Sequence, residues 1–300
     1  CATCAGTVLG GELRGVANGR LPNEFCAPDQ VLYCMGTPLE DAVLQPVSWQ
    51  RVDPSARKTF TAKVYRNQRA ADDISILQLR LPAGQRAKFK AGQYLQVQLP
   101  DGSRRAYSMA NPPHESDAIT LHIRHVAGGS FSPQVPALQP GELLPIELPF
   151  GTFELQEGSE RPMVFVAGGT GFAPVKAMLD DIAKRRIQRP ATLLWGARRA
   201  EHLYLMSAVQ RWQRTLAGFR FVAAVSGGDE APEGVPLFRG SVHQALAAEL
   251  RTLAGHELYC CGSPGMVAAV RAQALRQGLA PADFHSDVFV TGEAAVATAE

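Results

Sequence analysis

The hydrophobic period changes once along this chain, and the change divides it. From residue 58 apolar side chains alternate with polar ones in short runs. Leu77, Leu79 and Leu81 bracket Gln78 and Arg80; Leu95, Val97 and Leu99 bracket Gln96 and Gln98; Ile119, Leu121 and Ile123 alternate with Thr120, His122 and Arg124. Period two marks half-buried strands, and Asp101-Gly102 reads as a hairpin turn. Strands at this spacing predict a small antiparallel β-barrel ending near residue 155. After 160 the apolar residues come as runs, continuous at 163–167 and nearly so at 192–195, 219–225 and 258–261. Such runs suit strands buried on both faces. Helical spacing separates them: Val175, Met178, Leu179 and Ile182, then residues 242–253 and 266–276, with Gly278 where a helix would end. That alternation predicts a parallel-sheet α/β domain with crossover helices.

Composition narrows the class. The 300 residues suit at least two domains. Lys and Arg total 30 against 28 Asp and Glu, a balance of +2 that argues against nucleic acid or an anionic membrane as partner. No apolar run approaches the ~20 residues of a membrane helix, and no signal peptide is read, so a cytoplasmic location is expected. Residues 46–57, polar and bounded by prolines, read as a linker, and the tail from Gly292 as frayed.

Four of the six cysteines fall in the first 34 residues: Cys1, Cys4, Cys26 and Cys34. The C-x-x-C pair at Cys1 and Cys4 has three readings: zinc, thiol redox chemistry, or iron–sulfur. A zinc site wants a second close pair or histidines, and a redox pair wants a preceding strand. Plant-type [2Fe–2S] clusters use C-x4-C-x2-C and a distant fourth cysteine. The segment resembles that ferredoxin module, which would map three ligands onto Cys1, Cys4 and Cys34. The first ligand would fall five residues before Cys1, so a partial, truncated module is expected, with ligands Cys1, Cys4 and Cys34; substitution by Cys26 is the alternative to the missing ligand.

Four further motifs carry chemistry. Gly168-Gly169-Thr170-Gly171-Phe172-Ala173-Pro174 follows a buried strand and opens a helix, as a phosphate-binding turn does. Arg105-Ala106-Tyr107-Ser108 offers a bidentate phosphate ligand, a ring to stack on a flat heterocycle, and a hydroxyl. His122 and Arg124 share a strand face and run into Gly128-Gly129-Ser130-Phe131-Ser132, a second apparent phosphate-cradling helix start. Tyr259-Cys260-Cys261-Gly262-Ser263-Pro264-Gly265-Met266 closes a late strand.

Taken in order, these motifs resemble the ferredoxin–NADP reductase superfamily. With the cysteine segment, the chain is similar to three-part reductases of the benzoate dioxygenase and phenol hydroxylase type. Arg104-Arg-Ala-Tyr-Ser-Met-Ala-Asn-Pro-Pro113 and Leu121-His-Ile-Arg-His-Val-Ala-Gly-Gly129 look closest to CDP-6-deoxy-3,4-glucoseen reductase-like members. Leu148-Pro149-Phe150-Gly151 stands where relatives tend to have Gly-Pro-x-Gly. The resemblance implies a partial ferredoxin domain at 1–50, an FAD-binding barrel at 55–157 and an NAD(P)-binding domain at 160–291.

It also implies roles. Arg105 would hold the FAD pyrophosphate, Tyr107 stack on the isoalloxazine, and Ser108 sit near flavin N5. His122 and Arg124 would line the ribityl and phosphate side, with Gly129 and Ser132 completing the phosphate loop. Gly168, Gly169, Thr170, Gly171 and Pro174 would take the nicotinamide nucleotide. Cys261 would lie at the nicotinamide–flavin contact, flanked by Gly262 and Met266. Ser108, Thr170 and Cys261 are thus the expected catalytic set. Ser226 is followed by Gly227-Gly228-Asp229-Glu230, which favours NADH over NADPH, while Arg198 and Arg199 argue the other way. The implied activity moves a hydride from NADH to FAD, then single electrons through a [2Fe–2S] cluster to an oxygenase or deoxysugar-dehydratase component. Two rivals are a flavin or small-acceptor reductase without a cluster, and a nucleotide-binding subunit active only inside a complex.

Overall fold

The computed structural model describes residues 5–14, 30–33, 36–46, 56–227 and 236–289. Cys1, Cys4, Cys26, Cys34, most of the expected linker, residues 228–230 and the expected frayed tail lie outside them. The N-terminal strands are β1 (Ala5–Gly10), β2 (Leu13–Arg14), β3 (Val31–Leu32), β4 (Thr37–Pro38) and β5 (Val43–Pro46). They form a three-stranded sheet in the order β3-β1-β5 and a two-stranded β2-β4 pair.

Next come β6 (Lys58–Ala71), β7 (Ile74–Arg80), β8 (Tyr94–Gln98), β9 (Arg104–Ser108), β10 (Ala118–Arg124) and β11 (Leu143–Phe150), in the sheet order β10-β7-β6-β11-β8-β9. All neighbours are antiparallel. The sheet closes on itself where Met109 bridges Leu121 and the Ala110 N–H donates to the Thr120 carbonyl at 2.8 Å. Period two delivers Leu77, Leu79, Leu95, Val97, Ile119, Leu121 and Ile123 to one core. Gly102, at φ +80°, makes the β8–β9 turn as Asp101-Gly102 predicts.

The third sheet holds β12 (Met163–Gly168), β13 (Ala191–Ala197), β14 (Arg220–Val225), β15 (Leu237–Arg239), β16 (Glu257–Gly262) and β17 (Phe284–Val288). Its order is β15-β14-β13-β12-β16-β17, parallel throughout. Helices α1 (Phe172–Arg185) and α2 (Met206–Thr215) pack into one face core, α3 (Val242–Glu249) and α4 (Pro264–Arg276) into the other. The strand order reverses between β12 and β16, which is where open α/β sheets bind ligands, beyond their carboxyl edge.

Several sequence expectations shift here. The helix expected over 242–253 stops at Glu249, because Leu250 turns extended and the Leu253 N–H goes to the Gln277 carbonyl at 2.8 Å. Strands β15 and β17 are not marked in the sequence, and helix α2 falls in the helical stretch expected between 195 and 219 with no bounds to fix it; α2 buries only Ala208, Val209 and Trp212, too few to show a period. Gly278, at φ +86°, follows α4 as expected. Among the described residues no helix is long and apolar enough to cross a membrane.

Candidate functional site

Strand β9 reaches the parallel sheet through its last residue, Ser108. Alternation turns Arg105 and Tyr107 to one face. The Tyr107 ring lies 5.7 Å from that of Phe131, and burial pushes its phenol pKa up to about 12 against the pull of Arg105. The Arg105 guanidinium donates to the Arg104 carbonyl at 2.8 Å. Ser108 is buried, and its hydroxyl reaches Oδ2 of Asp287 at 3.5 Å, the long limit of a hydrogen bond.

The loop after β10 differs from its expected form. Ser132 does not cap an α-helix; it begins a six-residue 3-10 helix, Ser132–Ala137, with no side-chain cap. Pro136, inside the segment, withholds an N–H donor that a regular helix would use here, whereas Pro133 sits in the first turn where a proline is tolerated. The Ser132 Oγ instead accepts the Val126 N–H at 3.1 Å, closing the loop on itself. A Cβ on Gly129 would stand 2.9 Å from that Oγ. Beside it the Ser130 Oγ is buried with no partner.

Across the seam β12 ends at Gly168, and Gly169–Gly171 form a 3-10 turn into α1. Gly169 has φ +53°, a left-handed conformation that suits glycine. A Cβ on Gly171 would lie 2.2 Å from the Cys261 carbonyl oxygen. Gly168 and Gly262 approach each other beneath Met266, whose sulfur would meet a Cβ on Gly168 at 2.3 Å. Thr170 and Pro174 are buried at the turn and in the first turn of α1. Arg198 is exposed after β13, with its carbonyl accepting the Gly227 N–H at 2.8 Å. Arg199 is engaged by Asp72 at 3.3 Å and Glu201 at 2.7 Å.

Cys261 is fully buried beside the turn, and burial, then the charges of Asp287 and Cys260, push its thiol pKa well up. Cys260 points into the other face core. Asp287 pairs in register with Cys261. Burial pushes its carboxyl up to about 6, opposed by the Ser108 hydroxyl. Ser108, Cys261 and Asp287 therefore meet from three strands, β9, β16 and β17.

His122 and Arg124 share one face of β10, as alternation predicts, and that face meets the α/β unit. His122 packs against Phe172 and Tyr204, with Nδ1 2.9 Å from the Tyr204 hydroxyl. Burial, then Lys176, takes its pKa down to about 3, and its Nε2 is buried without a partner. Arg124 pairs with Asp73, and its Nη2 would be 3.1 Å from a Cβ on Gly169.

Comparison with known proteins agrees with this geometry. Residues 61–155 match the model of the oxidoreductase FAD-binding domain, and residues 165–272 that of the oxidoreductase NAD-binding domain. Reductase component 2 of terephthalate 1,2-dioxygenase from Comamonas sp is 51% identical over 97% of this chain and 86% of its own length. The chain belongs to the ferredoxin–NADP reductase superfamily. Another relative of this reductase is the CDP-6-deoxy-L-threo-D-glycero-4-hexulose-3-dehydrase reductase of Yersinia pseudotuberculosis, 35% identical over 97% of this chain and 87% of the relative. The Amycolatopsis cytochrome P450 reductase GcoB is 29% identical, with a TM-score of 0.76 over 96% of this chain and 87% of that one. The reductase is an NAD- and FAD-dependent oxidoreductase.

The residues fit both nucleotides. On the barrel side Arg105 and Tyr107 share a face of β9, and the Tyr107 ring meets Phe131, the residue after the unpartnered Ser130; these are donors and a platform suited to a flavin dinucleotide. On the other side the glycine turn opens a fourteen-residue helix, with a guanidinium beside Gly169. Asp287 and Ser130 are the site residues that sequence reasoning passed over. Asp287 is the one acid in a five-residue strand next to Cys261, but its strand itself had no period to reveal it.

Proposed function

We propose that this reductase moves a hydride from NADH to FAD and then passes single electrons, by way of a [2Fe–2S] cluster, to a partner protein of oxygenase or deoxysugar-dehydrase type. Bound flavin supplies the exchange between two-electron and one-electron chemistry. The observation that carries the reading is the convergence of Ser108, Asp287 and Cys261 where the barrel meets the switch point of the sheet.

Arg105 holds the FAD pyrophosphate, with Gly129 and Ser132 shaping the loop around it and Ser130 donating. Tyr107 covers the ring face. The Ser108 hydroxyl, 3.5 Å from Asp287, would hold a proton for the flavin's reacting nitrogen. Gly168, Gly169, Thr170 and Gly171 seat the nicotinamide nucleotide, Pro174 stiffens the helix start, and Cys261 bounds the ring. Met266 fills the space above Gly168 and Gly262, so it shapes the pocket floor. Arg124 would line the ribityl and phosphate side of the flavin beside Gly169, while His122, expected there too, is buried against Phe172 and Tyr204. Cys1, Cys4 and Cys34 would hold the cluster. The domain limits 1–50, 55–157 and 160–291 belong to the same reading.

NADH is favoured because Arg199 is already engaged by two carboxylates and so is not open to a 2′-phosphate. The names of the relatives support an oxygenase or dehydrase component as acceptor.

The test is anaerobic absorbance with iron and sulfide analysis. NADH should bleach a flavin band and reduce a cluster, faster than NADPH does. A flavin band that ignores both nucleotides refutes the reductase reading. Bleaching without iron favours the small-acceptor alternative.

A further inference from the structure

We infer that Trp195 is a positioning residue for nicotinamide-nucleotide binding: its indole N–H fixes the orientation of the Gly169–Thr170 peptide and so aims the Thr170 N–H at the nucleotide. The inference rests on the glycine turn being the nucleotide seat.

Trp195 lies on β13, one strand away from the turn, and none of its surface is exposed. A buried indole N–H needs an acceptor. Here it donates to the Gly169 carbonyl at 3.1 Å. The same carbonyl accepts the backbone N–H of Phe172, which opens α1. Two donors from different elements therefore pin one carbonyl. The peptide that follows is trans. In a trans peptide the carbonyl and the next N–H point in opposite directions. Holding the Gly169 oxygen against Trp195 consequently turns the Thr170 N–H to the far side of the turn, away from the sheet. Gly169 itself, at φ +53°, has no side chain to limit its torsions, so the peptide needs an external hold.

The ring is held in its turn. Trp195 stacks on Phe172 with centroids 3.7 Å apart and planes 7° from parallel, and Tyr204 meets it edge-on at 5.3 Å. Phe172 thus shares the packing but not the side-chain hydrogen bond. That separates the two roles experimentally.

The experiment compares three variants of the FAD-loaded protein: Trp195→Phe, Phe172→Leu and Gly169→Ala. Each is measured for KM and kcat with NADH, for NAD⁺ affinity, for flavin content and for Tm. Trp195→Phe should raise KM and the NAD⁺ Kd about threefold to tenfold, the worth of one hydrogen bond, with kcat changed less than twofold. Phe172→Leu should lower Tm yet leave KM within about twofold. Equal KM rises in both variants would reduce Trp195 to packing and overturn the inference. An unchanged KM in Trp195→Phe beside a raised one in Gly169→Ala would overturn it while leaving the nucleotide seat intact. No change in either would remove the seat itself, and the inference with it. Should Trp195→Phe not fold, the wild-type holoenzyme still decides. The chain has three tryptophans, and the Trp195 indole ¹⁵N–¹H resonance should move on adding NAD⁺; a stationary signal at saturation overturns the inference.

Discussion

Two buried titratable residues at the seam pull stability in opposite directions. Asp287 has a carboxyl raised from 3.8 to about 6 by burial. A raised carboxyl favours folding while protonated, so its contribution is complete below pH 3.8 and is lost as pH rises through 6. The loss is on the order of 3 kcal/mol. Asp287→Asn should therefore raise Tm at pH 8 and leave it nearly unchanged at pH 4, while slowing flavin reduction by NADH because the Ser108 hydroxyl loses its charged acceptor. Thermal melts at both pH values, beside stopped-flow reduction, check this; an equal Tm shift at both would contradict it. His122 behaves in the reverse sense. Burial holds its ring neutral, down to about 3 from 6.5. Its contribution is complete above pH 6.5 and erodes as pH falls toward 3, by on the order of 2 kcal/mol at pH 5. His122→Gln should flatten the acid limb of the stability profile between pH 6.5 and 5, read by urea denaturation. Of these two, the place of His122 on the outer face of β10 was legible because it alternates with core isoleucines and leucines. Asp287 was not, since its importance comes from a strand pairing and a contact 179 positions away.

At the scale of elements, the two ends of the parallel sheet do different work. The carboxyl edge carries the glycine turn and Cys261. The amino edge carries a buried ion pair: Arg189 reaches Glu257 at 2.6 Å, and the Tyr259 hydroxyl donates to Glu257 at 2.8 Å while accepting the Gln156 N–H at 3.0 Å. Arg189 also donates to the Arg161 carbonyl at 2.7 Å, tying the loops before β12, β13 and β16 together. Removing one partner leaves a buried charge uncompensated, which costs about 3–5 kcal/mol. Glu257→Ala should show that loss in denaturant melts, with KM for NADH unchanged because the pair sits at the edge opposite the turn. A changed KM with intact stability would contradict the assignment. Strands β12, β13, β14 and β16 were legible, since runs buried on both faces cannot hide their apolar character; the half-buried β15 and β17 offer no such run. The short α2 and the 3-10 helix at Ser132 were not: one buries three side chains, and the other contains Pro136, whose missing N–H interrupts a regular helix whatever residue precedes it.

At the scale of the molecule, the barrel and the α/β unit were both foreseeable, but the seam joining them was not. Its contacts link residues far apart in sequence: His122 to Tyr204, His202 to Asp72 at 3.1 Å, and Lys176 to the Ala110 carbonyl at 3.1 Å. None repeats with a period, so no local pattern announces them. Their energies also differ by environment. Arg199 and Asp72 are each about half exposed, at 54% and 52%, so that ion pair contributes little, about 0–1 kcal/mol. The His122–Tyr204 bond is enclosed, and His122 already has one nitrogen without a partner. Tyr204→Phe would leave the second nitrogen unpaired as well, at about 1–3 kcal/mol. Because Tyr204 also packs edge-on against Phe172 and Trp195, the phenylalanine keeps the packing and isolates the hydroxyl. Tyr204→Phe should thus lower stability measurably, whereas Arg199→Ala should not, and the double variant should be additive because the two sites share no hydrogen-bond partner. Equilibrium denaturation of the four proteins decides it: equal losses in the two single variants would mean that the seam is held by its surface charges rather than by its buried imidazole.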